Sequence, residues 1–320
     1  MTLTPILLYP AFRCGSATPW GGSLLQSKYN KKAPCLPFGE SLELSTLPGL
    51  NATDAAGTPL SELISRYGAE LTGTQVTGEF PLLIKLLDAK QTLSVQVHPD
   101  DAYARVHENK LGKNEAWIIL SAAPDAQIVY GLRPGATRDM LRDALEAEQP
   151  IENLLRYVPV QAGDVFFIPA GTVHAVGAGI LLYEIQQTSD ITYRLYDWNR
   201  TDANGCKRTL HIRQALDVLQ PDLRLSAAAP QPIQDLNCRR ELLLDTPYFR
   251  VERLSDCRDL PIAGDPKAFS VLTALQEGTL TLKDEGKTLP LPAGQTVLIP
   301  ASCQAFMLNG GSFLLAHPRV

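Results

Sequence analysis

The chain has 320 residues, 45% of them hydrophobic and 20% charged, with a formal net charge of -5. That length suits one large core or two modest ones, because single cores stop growing near ~250 residues, and the apolar content is enough to fold without disulfide support. A net negative charge with no clustered excess of Lys and Arg excludes nucleic acid and anionic membrane as expected partners.

The six cysteines (Cys14, Cys35, Cys206, Cys238, Cys257 and Cys303) show neither a CxxC pair nor the spacing of a disulfide framework, so reduced thiols are expected. The apolar stretch from Pro5 to Phe12 is too short for a membrane span and lacks the preceding positive charge of a secretory signal. The expected location is the cytoplasm.

Residues 1–50 are rich in Gly, Pro and Ser and read as irregular β structure, with Trp20-Gly21-Gly22 at a turn. A helix is expected within 54–71, where Leu60, Leu63, Ile64 and Tyr67 recur at helical spacing behind a Thr58 cap and Pro59 at the first helical position. The run from Phe80 to Val97 is apolar and then alternates, with Leu93, Val95 and Val97 on one face and Ser94, Gln96 and His98 on the other. Further helical insertions are expected at 137–149 and 209–220, and the rest reads as strands.

Gly163-Asp164-Val165-Phe166-Phe167-Ile168-Pro169-Ala170-Gly171 is echoed by Gly294-Gln295-Thr296-Val297-Leu298-Ile299-Pro300-Ala301-Ser302, which implies two related β modules. His174 follows the first copy, and Ala305 stands at the matching place in the second. A metal ligand is therefore expected in the N-terminal module only.

With only five histidines in the chain, the two at strand ends carry weight. Gln96 and His98, two apart on a strand, point the same way, and Glu115 opens the next apolar run. Two His and one Glu suffice for a catalytic zinc site, which keeps a position open for water or substrate. By spacing alone, each of these residues also reads as a satisfied polar group. His107, His211 and His317 read as surface or capping residues.

The pattern Gly163-Asp164-x4-Pro169-x-Gly171-x2-His174, preceded by His98 and Glu115, resembles the cupin motifs, and cupins are jelly-roll β barrels. More narrowly, Gln96-Val97-His98-Pro99-Asp100-Asp101, Gly112-Lys113-Asn114-Glu115 and the run from Glu184 to Asp197 resemble type I mannose-6-phosphate isomerases. The resemblance implies a mainly β fold of two cupin-type jelly-roll modules with short inserted helices. Residues 1–230 would form the catalytic, metal-binding module and 231–320 a smaller one without ligands.

It also implies one zinc per chain on Gln96, His98, Glu115 and His174, and a sugar phosphate substrate interconverted between mannose 6-phosphate and fructose 6-phosphate. Arg194 matches the family's catalytic arginine, and Lys85, Lys113, Glu184 and Asp190 match pocket positions. Trp20 is a candidate substrate contact, although Trp20 and Trp117 also read as packing residues. The expected assembly is a monomer or homodimer.

Moving a proton between C1 and C2 requires a base and a positive charge on the developing oxyanion. Arg194 or the metal fills the second role; Glu184, Asp190 and Lys113 are all candidates for the first. The phosphate needs cations, because the chain has no P-loop, and Lys85, Lys113 and Arg194 are the candidates, while Arg200 and Arg208 read as surface charges. Two other readings compete: a non-haem iron oxygenase built on the two-His-one-carboxylate triad, and a non-catalytic sugar-binding cupin.

Overall fold

The computed structural model describes residues 2–201, 204–282 and 286–319. It is mainly β, with three large antiparallel sheets and one short hairpin. A seven-stranded sheet runs in the order Ala227–Ala228, Val165–Ile168, Glu115–Ala122, Ile180–Gln187, Leu82–Ala89, Phe38–Leu44 and Ala11–Cys14. A five-stranded sheet (Leu155–Pro159, Gln127–Leu132, His174–Val176, Val95–Val97, Tyr193–Tyr196) faces it. An eight-stranded sheet holds all seven described strands from Gln231 on, together with Ile6–Leu8, which pairs with Thr296–Ile299.

The central strands Leu82–Ala89 and Ile180–Gln187 are buried at every residue, because the seven-stranded sheet is covered on both faces. Leu82, Ile84, Leu86, Leu181, Tyr183 and Ile185 share a core with Phe249, Val271 and Leu314 of the C-terminal sheet. The alternate residues Leu87, Ile180 and Leu182 pack instead with Trp20, Trp117, Ile128 and Val176, inside the first barrel. Strand alternation therefore turns Lys85 and Glu184 into that barrel. The C-terminal module is filled by its own apolar cluster, which includes Leu272, Val297, Phe306 and Phe313. A buried ion pair helps to join the modules: Lys31 Nζ lies 2.7 Å from Glu43 and donates to the Gly294 carbonyl, and Thr296 Oγ1 donates to the same carboxylate.

Helices occur at the three expected places, with shorter bounds: Leu60–Tyr67 followed by Ala69–Thr72, Arg138–Glu146, and Ile212–Val218. Pro59 is itself the cap residue of the first, rather than its first helical position. Helices Leu24–Tyr29 and Asp101–His107 were not expected; in the second, the Asp100 carboxylate caps the Tyr103 amide. Reduced thiols throughout proved wrong. Pairing of Ala11–Cys14 with Phe38–Leu44 folds the chain back so that the Cα atoms of Cys14 and Cys35 stand 5.6 Å apart, and the two form a disulfide. No helix among the described residues is long and apolar enough to cross a membrane.

Candidate active site

Two rows of side chains face each other across the first barrel. In the five-stranded sheet, His174 pairs with Gln96 and Gln96 with Arg194. In the seven-stranded sheet, Glu184 pairs with Trp117 on one side and Lys85 on the other. The Trp117 ring meets the His174 ring edge-on, with centroids 5.5 Å apart, and so spans the gap.

His98, Glu115 and His174 are all buried, and one ligand atom of each lies within 4.8 Å of the others. His174 Nε2 is 3.3 Å from Glu115 Oε1, and His98 Nε2 is 3.7 Å from Glu115 Oε2. Ligands about 2.1 Å from a tetrahedral ion stand about 3.4 Å apart, so the spacing suits zinc. The Nδ1 of His174 donates to the Thr172 carbonyl at 2.9 Å, which leaves Nε2 as a lone pair aimed at the cluster. Neither Glu115 oxygen has a hydrogen-bond partner of good geometry, although Lys113 Nζ stands 2.8 Å from Oε2. A buried carboxylate with unfilled acceptors beside two neutral imidazoles fits a divalent cation. The Gln96 amide nitrogen lies 3.2 Å from His174 Nε2, so half a turn of the amide offers its oxygen to the same point.

Burial lifts the Glu115 carboxyl to about 7 against the opposing pull of Lys113. It lowers His174 to about 3 and pushes His98 well below the usual imidazole range, so both rings are neutral at pH 7. Burial would raise Glu184 too, but the ammonium groups of Lys85 and Lys113 outweigh it and hold that carboxyl at about 2. Lys85 Nζ donates to Glu184 at 2.8 Å and stands 3.7 Å from Glu40, and Trp117 Nε1 donates to the other Glu184 oxygen.

One pocket opens over this floor. Trp20, Lys85, Gln96, Lys113, Glu184, Asp190 and Arg194 all line it, so the structure brings the sequence candidates to one cavity. Asp190 is the outermost carboxylate of the set, 2.6 Å from the half-exposed Lys110. The Nε of Arg194 donates to Ser94 Oγ and its Nη1 to the Thr209 carbonyl.

Several residues carry roles that sequence reasoning did not give them. Arg208 is no surface charge: it lines the pocket and, with Arg200, binds Asp197, so two guanidiniums share one nearly buried carboxylate. The Nδ1 of His211 accepts from the Arg194 amide, which ties the helix start to the strand that carries Arg194. Asp101, Asn114 and Gln187 frame the Lys113–Glu115 segment. The Asn114 amide N–H groups donate to Gln187 Oε1, Ala170 donates to Asn114 Oδ1, and Gln187 and Gly112 donate to Asp101. Gly112 passes so close that an added Cβ would sit 2.4 Å from the backbone of Asp100 and Asp101. Asp101, Gly112, Asn114 and Gln187 lay within the quoted motifs, but only the fold shows what they touch.

A family model for the catalytic domain of type I phosphomannose isomerase matches residues 16–117. The mannose-6-phosphate isomerase ManA of Bacillus subtilis is 36% identical over 319 residues, 97% of each chain. The chain belongs to the type I mannose-6-phosphate isomerase family. The mannose-6-phosphate isomerase of Streptococcus mutans is a further member, 35% identical over 93% of each chain. A crystal structure of the family's Bacillus subtilis enzyme superposes with a TM-score of 0.89 at 32% identity, covering 98% of this chain and 99% of that one. A variant phosphomannose isomerase from Salmonella typhimurium, at 17% identity and a TM-score of 0.79, shares the fold.

Proposed function

We propose that the chain interconverts mannose 6-phosphate and fructose 6-phosphate with one zinc ion, by proton transfer through an enediol. The observation that carries this is one pocket lined by Gln96, Arg194, Lys113, Lys85 and Glu184, of which Gln96 and Lys113 reach the buried His98, Glu115 and His174 cluster, in a chain of the isomerase family. His98, Glu115 and His174 would hold the metal, with the Gln96 oxygen as a fourth ligand. When bound, zinc supplies Lewis-acid polarisation of the substrate carbonyl.

The chain's own residues supply the rest. Arg194 starts beside Gln96, directly across the strand pair, and its guanidinium faces the same pocket. A permanent cation there stabilises negative charge on the substrate oxygens without taking part in proton exchange. Proton transfer falls to Glu184 or Lys113, the two candidates on the buried floor; Asp190, farther out on Lys110, is assigned to binding. Burial of the floor excludes water, which strengthens each of these charge interactions.

The phosphate goes to cations whose charge is not already matched. Lys85 is matched by Glu184 and Glu40, and Lys113 by Glu115, whereas Arg200 and Arg208 share the single carboxylate of Asp197. Arg208 and Arg194 are therefore the preferred phosphate contacts. Residues 1–230 do the chemistry on this reading, and 231–320 brace the outer face of the seven-stranded sheet.

Turnover of mannose 6-phosphate in deuterated water tests the route. Solvent deuterium at C1 or C2 of the product is expected; complete absence of label would replace the enediol by a hydride shift.

A further inference from the structure

Arg13 lines the active-site pocket from the edge strand Ala11–Cys14, beyond which no other described strand pairs in that sheet. Its register with Phe38–Leu44 breaks between Arg13 and Cys14. At that break the chain is fastened by the Cys14–Cys35 disulfide and by the Gly15 N–H, which donates to the Pro37 carbonyl at 2.7 Å. Cys35 is exposed and Cys14 half-buried, so the bond is open to attack from solvent. On its other side Arg13 begins a chain of charges that runs inward. Its Nη1 is 3.4 Å from Glu40 Oε2, Glu40 Oε1 is 3.7 Å from Lys85 Nζ, and Lys85 Nζ is 2.8 Å from Glu184.

We propose that Arg13 is a positioning residue for the Lys85–Glu184 pair and that the Cys14–Cys35 disulfide makes its position redox-dependent. Glu40 divides its negative charge between Arg13 and Lys85. When Arg13 is withdrawn, that charge acts on Lys85 alone and competes with Glu184 for the ammonium. Because Lys85 is buried, the competition takes place with little screening by solvent.

The switch is an ordinary thiol–disulfide exchange with a dithiol reductant, small or protein-borne. One reductant thiolate attacks the sulfur of the exposed residue Cys35, the Cys14–Cys35 bond breaks, and Cys14 leaves as a thiolate that takes up a proton. The second reductant thiol then attacks the mixed disulfide and releases Cys35 as a thiol. Two electrons enter the protein, and the reductant departs as its cyclic disulfide. Other anchors of the 15–34 segment, such as the Leu24 amide on Asp88 and Lys31 on Glu43, stay in place, so the effect is confined to the Arg13 wall.

The kinetic arm of the test rests on the isomerase reading; a second arm does not. Metal-loaded full-length protein is compared before and after treatment with a dithiol, with thiols counted and zinc content checked. Two additional thiols are expected on reduction, with faster amide exchange confined to residues 11–22. For mannose 6-phosphate, kcat is expected to fall about fivefold with KM within about twofold. Arg13→Ala should show the same fall in kcat in the oxidised state and no further change on reduction, and Arg13→Lys should restore most of the loss. The proposal is overturned by unchanged exchange at 11–22 after two thiols have appeared, by failure of the Cys14–Cys35 bond to form under oxidising conditions, or by an equal effect of reduction in the Arg13→Ala background. Absence of turnover in every redox state would count against the isomerase reading, and the exchange data would still decide the clamp.

Discussion

Gln96 and His174 stand directly opposite each other across two antiparallel strands, with the amide nitrogen 3.2 Å from the imidazole Nε2. The pairing puts Gln96 beside the His98, Glu115 and His174 cluster as a consequence of sheet register. It also ranks the two as candidate ligands: His174 brings a fixed tautomer and a buried ring, whereas Gln96 is half-buried and neutral. Replacing His174 by Ala is therefore expected to abolish stoichiometric zinc, while Gln96→Ala should weaken it by about 10- to 100-fold. Competition with a chelator of known affinity measures both; equal losses would remove the ranking.

Arg194 stands across the strand pair from Gln96, and among the described residues its guanidinium donates to Ser94 and to the Thr209 carbonyl. Arg194→Ala is expected to leave zinc content unchanged and to lower kcat by about 10²–10³, the range for losing one electrostatic stabiliser of a developing oxyanion. Steady-state kinetics beside a metal assay checks it. A normal kcat would remove Arg194 from the chemistry.

Metal binding should depend on pH through Glu115. In the metal-free protein burial raises this carboxyl to about 7, whereas His174 at about 3 and His98 well below its usual value carry no proton to displace near neutrality. A raised carboxyl pKa means that the metal-free fold loses stability as pH rises through about 7, since the buried group must then ionise. Zinc binds the ionised form, so its apparent affinity should fall roughly tenfold per unit as pH drops below 7, with one proton released on binding. Titration calorimetry in buffers of different ionisation heat would count that proton. A flat affinity between pH 5.5 and 8 would contradict the assignment.

Much of this site was legible in the sequence because strand periodicity and motif spacing are local signals. The alternation of Ser94, Gln96 and His98 survived as one face of a strand pair, and the repeated Gly-x5-Pro segments became Val165–Ile168 and Thr296–Ile299. The second module's missing ligand also has a physical counterpart, since that barrel is filled by Phe306, Phe313 and their neighbours. What escaped was non-local. The Cys14–Cys35 bond, the doubled arginines on Asp197 and the hold of His211 on Arg194 depend on which strands and loops meet. A continuous apolar run such as Leu82–Ala89 does not announce which of its faces is the catalytic one. Only the second layer, packed on Leu82, Ile84 and Leu86, leaves Lys85 turned into the pocket.

The central claim is that a metal held by His98, Glu115 and His174 is needed to isomerise mannose 6-phosphate. Its most direct test strips the purified protein with a chelator, assays conversion to fructose 6-phosphate, and then restores one equivalent of zinc. Loss of activity on stripping and recovery with a single equivalent are predicted; full turnover by protein shown to be free of metal would contradict the account.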